Sequence, residues 1–171
     1  MKAIITILTD FGSTYTAAMK GRILSINPDA NIIEISHEIS AHNLREGAFL
    51  LRSAVKHFPP AVHIGVVDAG VGTARKGIII MAKESYLVGP DNGLLVPAAR
   101  SIGDFSVYEI TKKFPQVSYT FHGRDIFAPT AAYLSMGQKP ESFGIPADKF
   151  VDLSIEDYEA GEDVISGNVI Y

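Results

Sequence analysis

No cysteine occurs among the 171 residues, which removes disulfide frameworks and thiolate metal sites and agrees with a reducing compartment. No apolar run approaches the roughly 20 residues needed to cross a bilayer. The amino terminus has neither the basic start nor the cleavage site of a signal peptide. The expectation is a cytoplasmic protein that does not engage a membrane. Positive charge is also in short supply: 15 Lys and Arg face 19 Asp and Glu, a formal net charge of -4. The basic residues are scattered among acids, so nucleic acid is not an expected partner. Internal repeats and low-complexity segments are lacking too. What is present is a globular composition, 47% hydrophobic and 20% charged, rich enough in Val and Ile for a buried sheet. The length is that of one domain.

Residues 3–8 form a continuous β-branched apolar run, suited to a strand covered on both faces, and it ends at Thr9 and Asp10. Residues 15–26 read as a helix with Met19, Ile23 and Ile26 on one face, stopped by Asn27, Pro28 and Asp29. A strand over 31–35 follows. Asn43 with Glu46 predicts a capping box for a helix striped by Leu44, Ala48, Leu51 and Val55. Residues 62–67 predict another buried strand, ending at Asp68, and 78–82, 86–88 and 106–110 three more. A helix is predicted from about 125 to 136, with Pro129 tolerated in its first turns. The segment 164–171 resembles a strand with nothing after it to pair with. Strands alternating with helices predict an α/β layered domain with a mostly parallel central sheet flanked by helices, whose ligands gather beyond the carboxyl ends of strands. Asp10, Asp68 and Asp91 all stand at such ends.

The segment from Val67 to Gly77 is a strand followed by a glycine-rich loop, which lets backbone approach a ligand closely. Gly72 and Gly77 have part of the Walker spacing without the Lys-Ser/Thr that follows it, so this is not a phosphate loop. Asp68 and Arg75 read either as a site or as a surface ion pair on a turn. His122 precedes a helix with Arg124 and Asp125 in its first turn, and reads as a base, a hydrogen-bond donor or a structural hydrogen-bonder. Asp10 reads as a cap for the first helix or as a carboxylate accepting two sugar hydroxyls. The Asp91-Asn92-Gly93 stretch is strong turn chemistry.

Five ordered motifs, Thr9-Asp10-Phe11-Gly12, Met19-Lys20-Gly21, Val67-Asp68-Ala69-Gly70-Val71-Gly72-Thr73, Gly89-Pro90-Asp91-Asn92-Gly93-Leu94-Leu95 and Phe121-His122-Gly123-Arg124-Asp125, resemble the S-adenosylmethionine hydroxide adenosyltransferases, relatives of the fluorinase and chlorinase enzymes. The resemblance covers the chain from Met1 to about Tyr171. It implies hydrolysis of S-adenosylmethionine to adenosine and methionine, by water or hydroxide attacking the ribose C5′ carbon, with no metal and no cofactor. The family's catalytic set carries over onto Asp68, Arg75 and His122. A guanidinium stays protonated at physiological pH, so Arg75 would stabilise hydroxide character, while Asp68 and His122 would orient the water and accept its proton. The sulfonium leaves as a neutral thioether and needs no general acid, so positioning would do most of the work.

By the same resemblance Asp10 would bind the ribose diol, Phe121 would wall the ribose, and His42 would lie near the substrate. Halogenating relatives replace the Asp68 and His122 positions, so their retention here disfavours halide use. Two positions depart from the usual pattern, Ala69 in place of Pro and Ala17 in place of Gly. The family also implies a second, β-rich domain beginning just past Tyr171, which supplies most adenine and methionine contacts between subunits of a homotrimer. The expected division is therefore an α/β catalytic domain over 1–158 and, over 159–171, a linker and first strand leading into that absent domain. Two other readings stay open: a non-catalytic nucleoside-binding or interaction module, and a metal-dependent phosphoesterase using Asp10, Asp68, Asn92 and His122. The phosphoesterase lacks the usual Asp-x-His or His-x-x-x-His spacing.

Overall fold

The structure is a computed structural model that describes residues 3–68, 70, 73–155, 158–160 and 165–167. Seven strands form the central sheet: β1 (Ile4–Thr9), β2 (Asn31–Ser36), β3 (Val62–Val66), β4 (Gly77–Ala82), β5 (Ser85–Pro90), β6 (Phe105–Ile110) and β7 (Gly144–Pro146). Their order is β2-β1-β3-β5-β4-β6-β7. The β2-β1, β1-β3 and β3-β5 pairings are parallel, and the β5-β4, β4-β6 and β6-β7 pairings antiparallel. Those senses make β1, β2, β3, β5 and β6 point one way and only β4 and β7 the other, so the sheet is mostly parallel in direction, as predicted. Strands β1 and β3 are the interior parallel pair, and every residue from Ile5 to Thr9 and from Val62 to Val66 is buried. That explains why both read as unbroken apolar runs rather than alternating ones.

Helices α1 (Gly12–Ile26), α2 (Leu44–Val55), α3 (Val96–Ile102) and α4 (Ala128–Ser135) cover the two faces. Met19 and Ile23 of α1 join Ala131 and Leu134 of α4 over Ile5, Ile7 and Ile64 on one side. On the other, Ala48, Leu51 and Val55 of α2 join Val96, Ala98 and Ala99 of α3 over Leu8, Ile80 and Leu87. Two apolar layers thus sandwich the sheet, and the strand ends are left to the loops.

Local differences from the sequence expectation have local causes. Helix α1 starts at Gly12 rather than Tyr15, because Gly12 takes φ +76°, seldom open to other residues, and gives its N–H to the His37 carbonyl at 3.2 Å. Helix α3 is not among the predicted elements. It is seven residues long with Pro97 in its first turn, a place that suits proline, and its uniformly apolar start has no helical period. The predicted helix at 125–136 divides into a π-helical turn (Gly123–Phe127) and α4. Pro129 has no N–H to bond within the helix, and at the junction the Ala128 N–H reaches back five residues to the Gly123 carbonyl. Residues 165–167 (β9) are not unpaired, since they pair antiparallel with Tyr158–Ala160 (β8). The rest of the predicted strand over 164–171 lies outside the described residues.

The predicted capping box is present in altered form. The Asn43 side chain accepts from the Glu46 N–H at 3.2 Å, while the Glu46 carboxylate accepts from the Ser40 N–H at 3.2 Å and from Asn43 Nδ2 at 3.0 Å. Asn43→Ala removes the cap and one partner of a largely buried carboxylate, so urea denaturation should register a loss of about 1–2 kcal/mol.

Candidate active site

The sheet order reverses at β1, with β2 on one side and β3 on the other. In register Thr9 lies opposite Val66, so the chain leaves these neighbouring strands at Thr9-Asp10 and at Val67-Asp68. Open parallel sheets form a ligand crevice at such a switch point. Strand β5 ends beside β3, which brings Asp91 and Asn92 to the same rim. Asn92 Nδ2 donates to the Val67 carbonyl at 2.8 Å and the Val151 N–H donates to Asp91 Oδ1 at 2.8 Å. These two side chains are therefore used in holding loops together.

Asp68 is the chemically distinctive group. Its side chain is only 4% exposed, yet it lines a cavity of about 550 Å³ together with Phe11, Tyr15, Phe121 and Arg124. Its Oδ1 accepts from the Gly70 N–H at 2.9 Å, the local turn bond typical of aspartate. Its Oδ2 is buried and has no hydrogen-bond partner among the described residues, although Arg75 Nε stands 3.3 Å away as an ion-pair partner. Buried carboxylate oxygens are rarely left without a donor. Arg75 is held in turn by the Asp91 carbonyl, to which Nη1 donates at 3.2 Å. Positions 69, 71 and 72 of the glycine-rich loop lie outside the described residues.

His122 begins the π-helical turn, partly buried. Burial pushes its pKa below the ordinary 6.5, with Asp125 and then Asp68 pulling it the other way. The imidazole is therefore neutral at neutral pH and keeps a nitrogen free to accept a proton. Both carboxylates act on it electrostatically.

Asp10 does not cap α1, whose N-terminus has no side-chain cap bond. Its carboxylate, 8% exposed, instead accepts from the His42 N–H at 2.9 Å, with His42 Nδ1 3.6 Å away. His42 adopts φ 64°, a left-handed conformation uncommon outside glycine, and that turn of the backbone aims its amide at Asp10. Of the predicted residues, Asp68 and Phe121 line the cavity, Arg75 stands beside Asp68, His122 follows Phe121 in the chain, and Asp10 pairs with His42 at the neighbouring strand end.

The residues that sequence reasoning passed over are Phe11, Tyr15, Ser118 and Thr120, all lining the cavity. Phe11, Tyr15 and Phe121 meet edge to face, with centroids 5.8–6.4 Å apart. The four-residue interval between Phe11 and Tyr15, with a helix starting between them, was the signal available for two of these rings. Among the described residues no group of three or more His, Asp or Glu side chains is placed to hold a metal ion, and Asn92 and Asp91 are engaged elsewhere.

A family model described as the SAM hydroxide adenosyltransferase N-terminal domain matches residues 5–144. The chain is 48% identical over 136 residues to a protein of Methanocaldococcus jannaschii named (R)-S-adenosyl-L-methionine hydrolase, covering 75% of this chain and 52% of that one. A protein of the same name from Thermus thermophilus is 36% identical, with 80% and 58% covered. A protein named fluorinase from Actinoplanes is 27% identical, with 78% and 55% covered. Among solved structures, an uncharacterized conserved protein from Thermotoga maritima superposes with a TM-score of 0.86 at 41% identity, over 91% of this chain and 63% of that one. The chain spans about half the length of the curated relatives it matches. No helix among the described residues is long and apolar enough to cross a membrane.

Proposed function

The chain belongs to the S-adenosylmethionine hydroxide adenosyltransferase family, and from that membership we propose that it carries the water-activating residues of a hydrolase that splits S-adenosyl-L-methionine into adenosine and L-methionine. The observation that carries the reading is the buried Asp68 carboxylate of the cavity wall, whose Oδ2 has no hydrogen-bond partner among the described residues. A water seated there donates one hydrogen to Oδ2. Arg75, 3.3 Å from that oxygen, stabilises the negative charge that develops on the water as it loses a proton. His122, neutral at neutral pH, accepts the proton. The water oxygen bonds to ribose C5′ as the C5′–S bond breaks, and the electron pair of that bond neutralises the sulfonium. The products are adenosine, methionine and one proton, with no co-reactant.

Asp10, tied to His42, supplies the carboxylate for the ribose diol, and Phe121 forms the apolar wall beside the sugar. In this reading the protein acts in the cytoplasm on a small molecule, needs no cofactor, and works as a homotrimer where the second domain implied by the resemblance is present. Incubation with S-adenosyl-L-methionine in ¹⁸O-labelled water should yield adenosine with the label at its 5′ hydroxyl, together with methionine, read by mass spectrometry. Label-free adenosine, or no product from a chain that includes the second domain, would count against water attack at C5′.

A further inference from the structure

The segment that delivers Phe121 to the cavity, with His122 next in the chain, is gripped by a single carboxylate outside the proposed catalytic set. Asp125 Oδ2 accepts from the Ser118 N–H at 2.9 Å, from Ser118 Oγ at 2.8 Å and from Arg124 Nη2 at 2.9 Å. Its Oδ1 accepts from Arg124 Nε at 2.6 Å. The Asp125 side chain is 10% exposed. Burial alone would raise its pKa, but the donors of Arg124 and Ser118 outweigh that and hold it at about 2, so the carboxylate keeps its charge throughout the neutral range.

The consequence falls on Phe121. Its N–H donates to Ser118 Oγ at 3.2 Å, its carbonyl accepts from the Asp125 N–H at 3.1 Å, and its ring lies under the Arg124 guanidinium, 5.1 Å from the centroid. Each of these partners is Asp125 itself or a group that the Asp125 carboxylate holds. Phe121 is thereby restrained at both ends of its backbone and on one ring face, and His122 is the next residue in the chain.

We propose that Asp125 is a positioning residue for the reaction: through Ser118 and Arg124 it fixes the segment that presents Phe121 to the cavity and carries His122 beside it. This rests on the hydrolase reading for its chemistry, but not for its geometry. Arg124 is then fixed for stacking on Phe121, and Ser118 is the bridge between the carboxylate and the Phe121 amide. The adjacent π-helical turn, a feature frequent at functional sites, brings residues 124 and 125 back toward the segment they hold.

The test uses Asp125→Asn, in which either orientation of the amide turns a donor toward Ser118 or Arg124, with Asp125→Ala as a second variant. Amide exchange followed by NMR should become about tenfold faster or more at Ser118 and Phe121, with the core strands unchanged. With S-adenosyl-L-methionine as substrate, kcat should fall by about 10- to 100-fold while KM stays within about threefold. Ser118→Ala should reproduce the kcat loss and Ser118→Thr, which keeps the hydroxyl, should restore most of it. Unchanged exchange at Ser118 and Phe121 in both Asp125 variants would overturn the proposal. So would faster exchange spread evenly over the core, which would make Asp125 a fold residue only. Because exchange needs no substrate, it decides whether Asp125 fixes the segment even where no turnover is seen, and absence of turnover in a chain that includes the second domain would count against the hydrolase reading alone.

Discussion

Asp68→Asn is expected to lower the turnover of S-adenosyl-L-methionine by about 10²- to 10⁴-fold, the range associated with losing a positioned acid-base group, without unfolding the protein. The substitution keeps size and shape. An amide can still accept from the Gly70 N–H through its oxygen, as Asp68 Oδ1 does at 2.9 Å. The nitrogen then occupies the place of Oδ2, so a donor replaces the buried acceptor that has no partner among the described residues. A water hydrogen can no longer be received there, and the charge facing Arg75 at 3.3 Å is gone. Turning the amide over instead sets its NH₂ against the Gly70 N–H. Adenosine release followed by chromatography, with circular dichroism as the control for folding, checks the result. A folded Asp68→Asn protein within about threefold of the parent rate would remove Asp68 from the catalytic set.

Acid should destabilise the fold through a group far from that chemistry. His63 is fully buried in β3, its Nδ1 is 2.8 Å from Thr6 Oγ1, and its Nε2 has no hydrogen-bond partner among the described residues. Burial lowers its pKa from 6.5 to about 4, because an imidazolium there would lose hydration and its Nε2–H would find no acceptor among the described residues. Between those two pH values the unfolded chain binds a proton that the folded chain does not, so stability falls as pH falls. The contribution is fully present above pH 6.5 and is lost on the way down to about pH 4, a change on the order of 3 kcal/mol. Urea midpoints measured at intervals across that range should show it. The paired variant Thr6→Val with His63→Leu, which removes both polar partners together, should flatten the dependence. An equal slope in the paired variant would assign the acid sensitivity to other groups.

These two residues mark how far the sequence could be read. Asp68 was legible because it ends an apolar strand and opens a glycine-rich loop, a local pattern that survives without coordinates. His63 lies inside a strand of the same apolar kind. Its neighbours in sequence say that it is buried, but not that Thr6, 57 positions away, is its partner. Asp10 shows the same limit, since its place after β1 was readable while its partner, the His42 amide, depends on how the residues before α2 fold back over the strand end. Phe11, Tyr15 and Ser118 were missed for a related reason: a cavity wall is assembled from separate loops, and no wall residue carries a local mark of it.

The sequence by itself determined the layered α/β class, the interior strands β1 and β3, the cap at Asn43 and the carboxylates at the strand ends. Burial periodicity, capping and turn chemistry act within a few residues of one another, so composition and spacing suffice for them. Only the tertiary structure decided that β1 and β3 lie side by side with Thr9 opposite Val66, that one oxygen of Asp68 stays without a donor among the described residues, and that Asp125 holds Ser118 and Arg124 around Phe121. Strand order and the pairing of polar atoms across loops are set by packing between segments distant in sequence, and those distances appear only once the chain is folded.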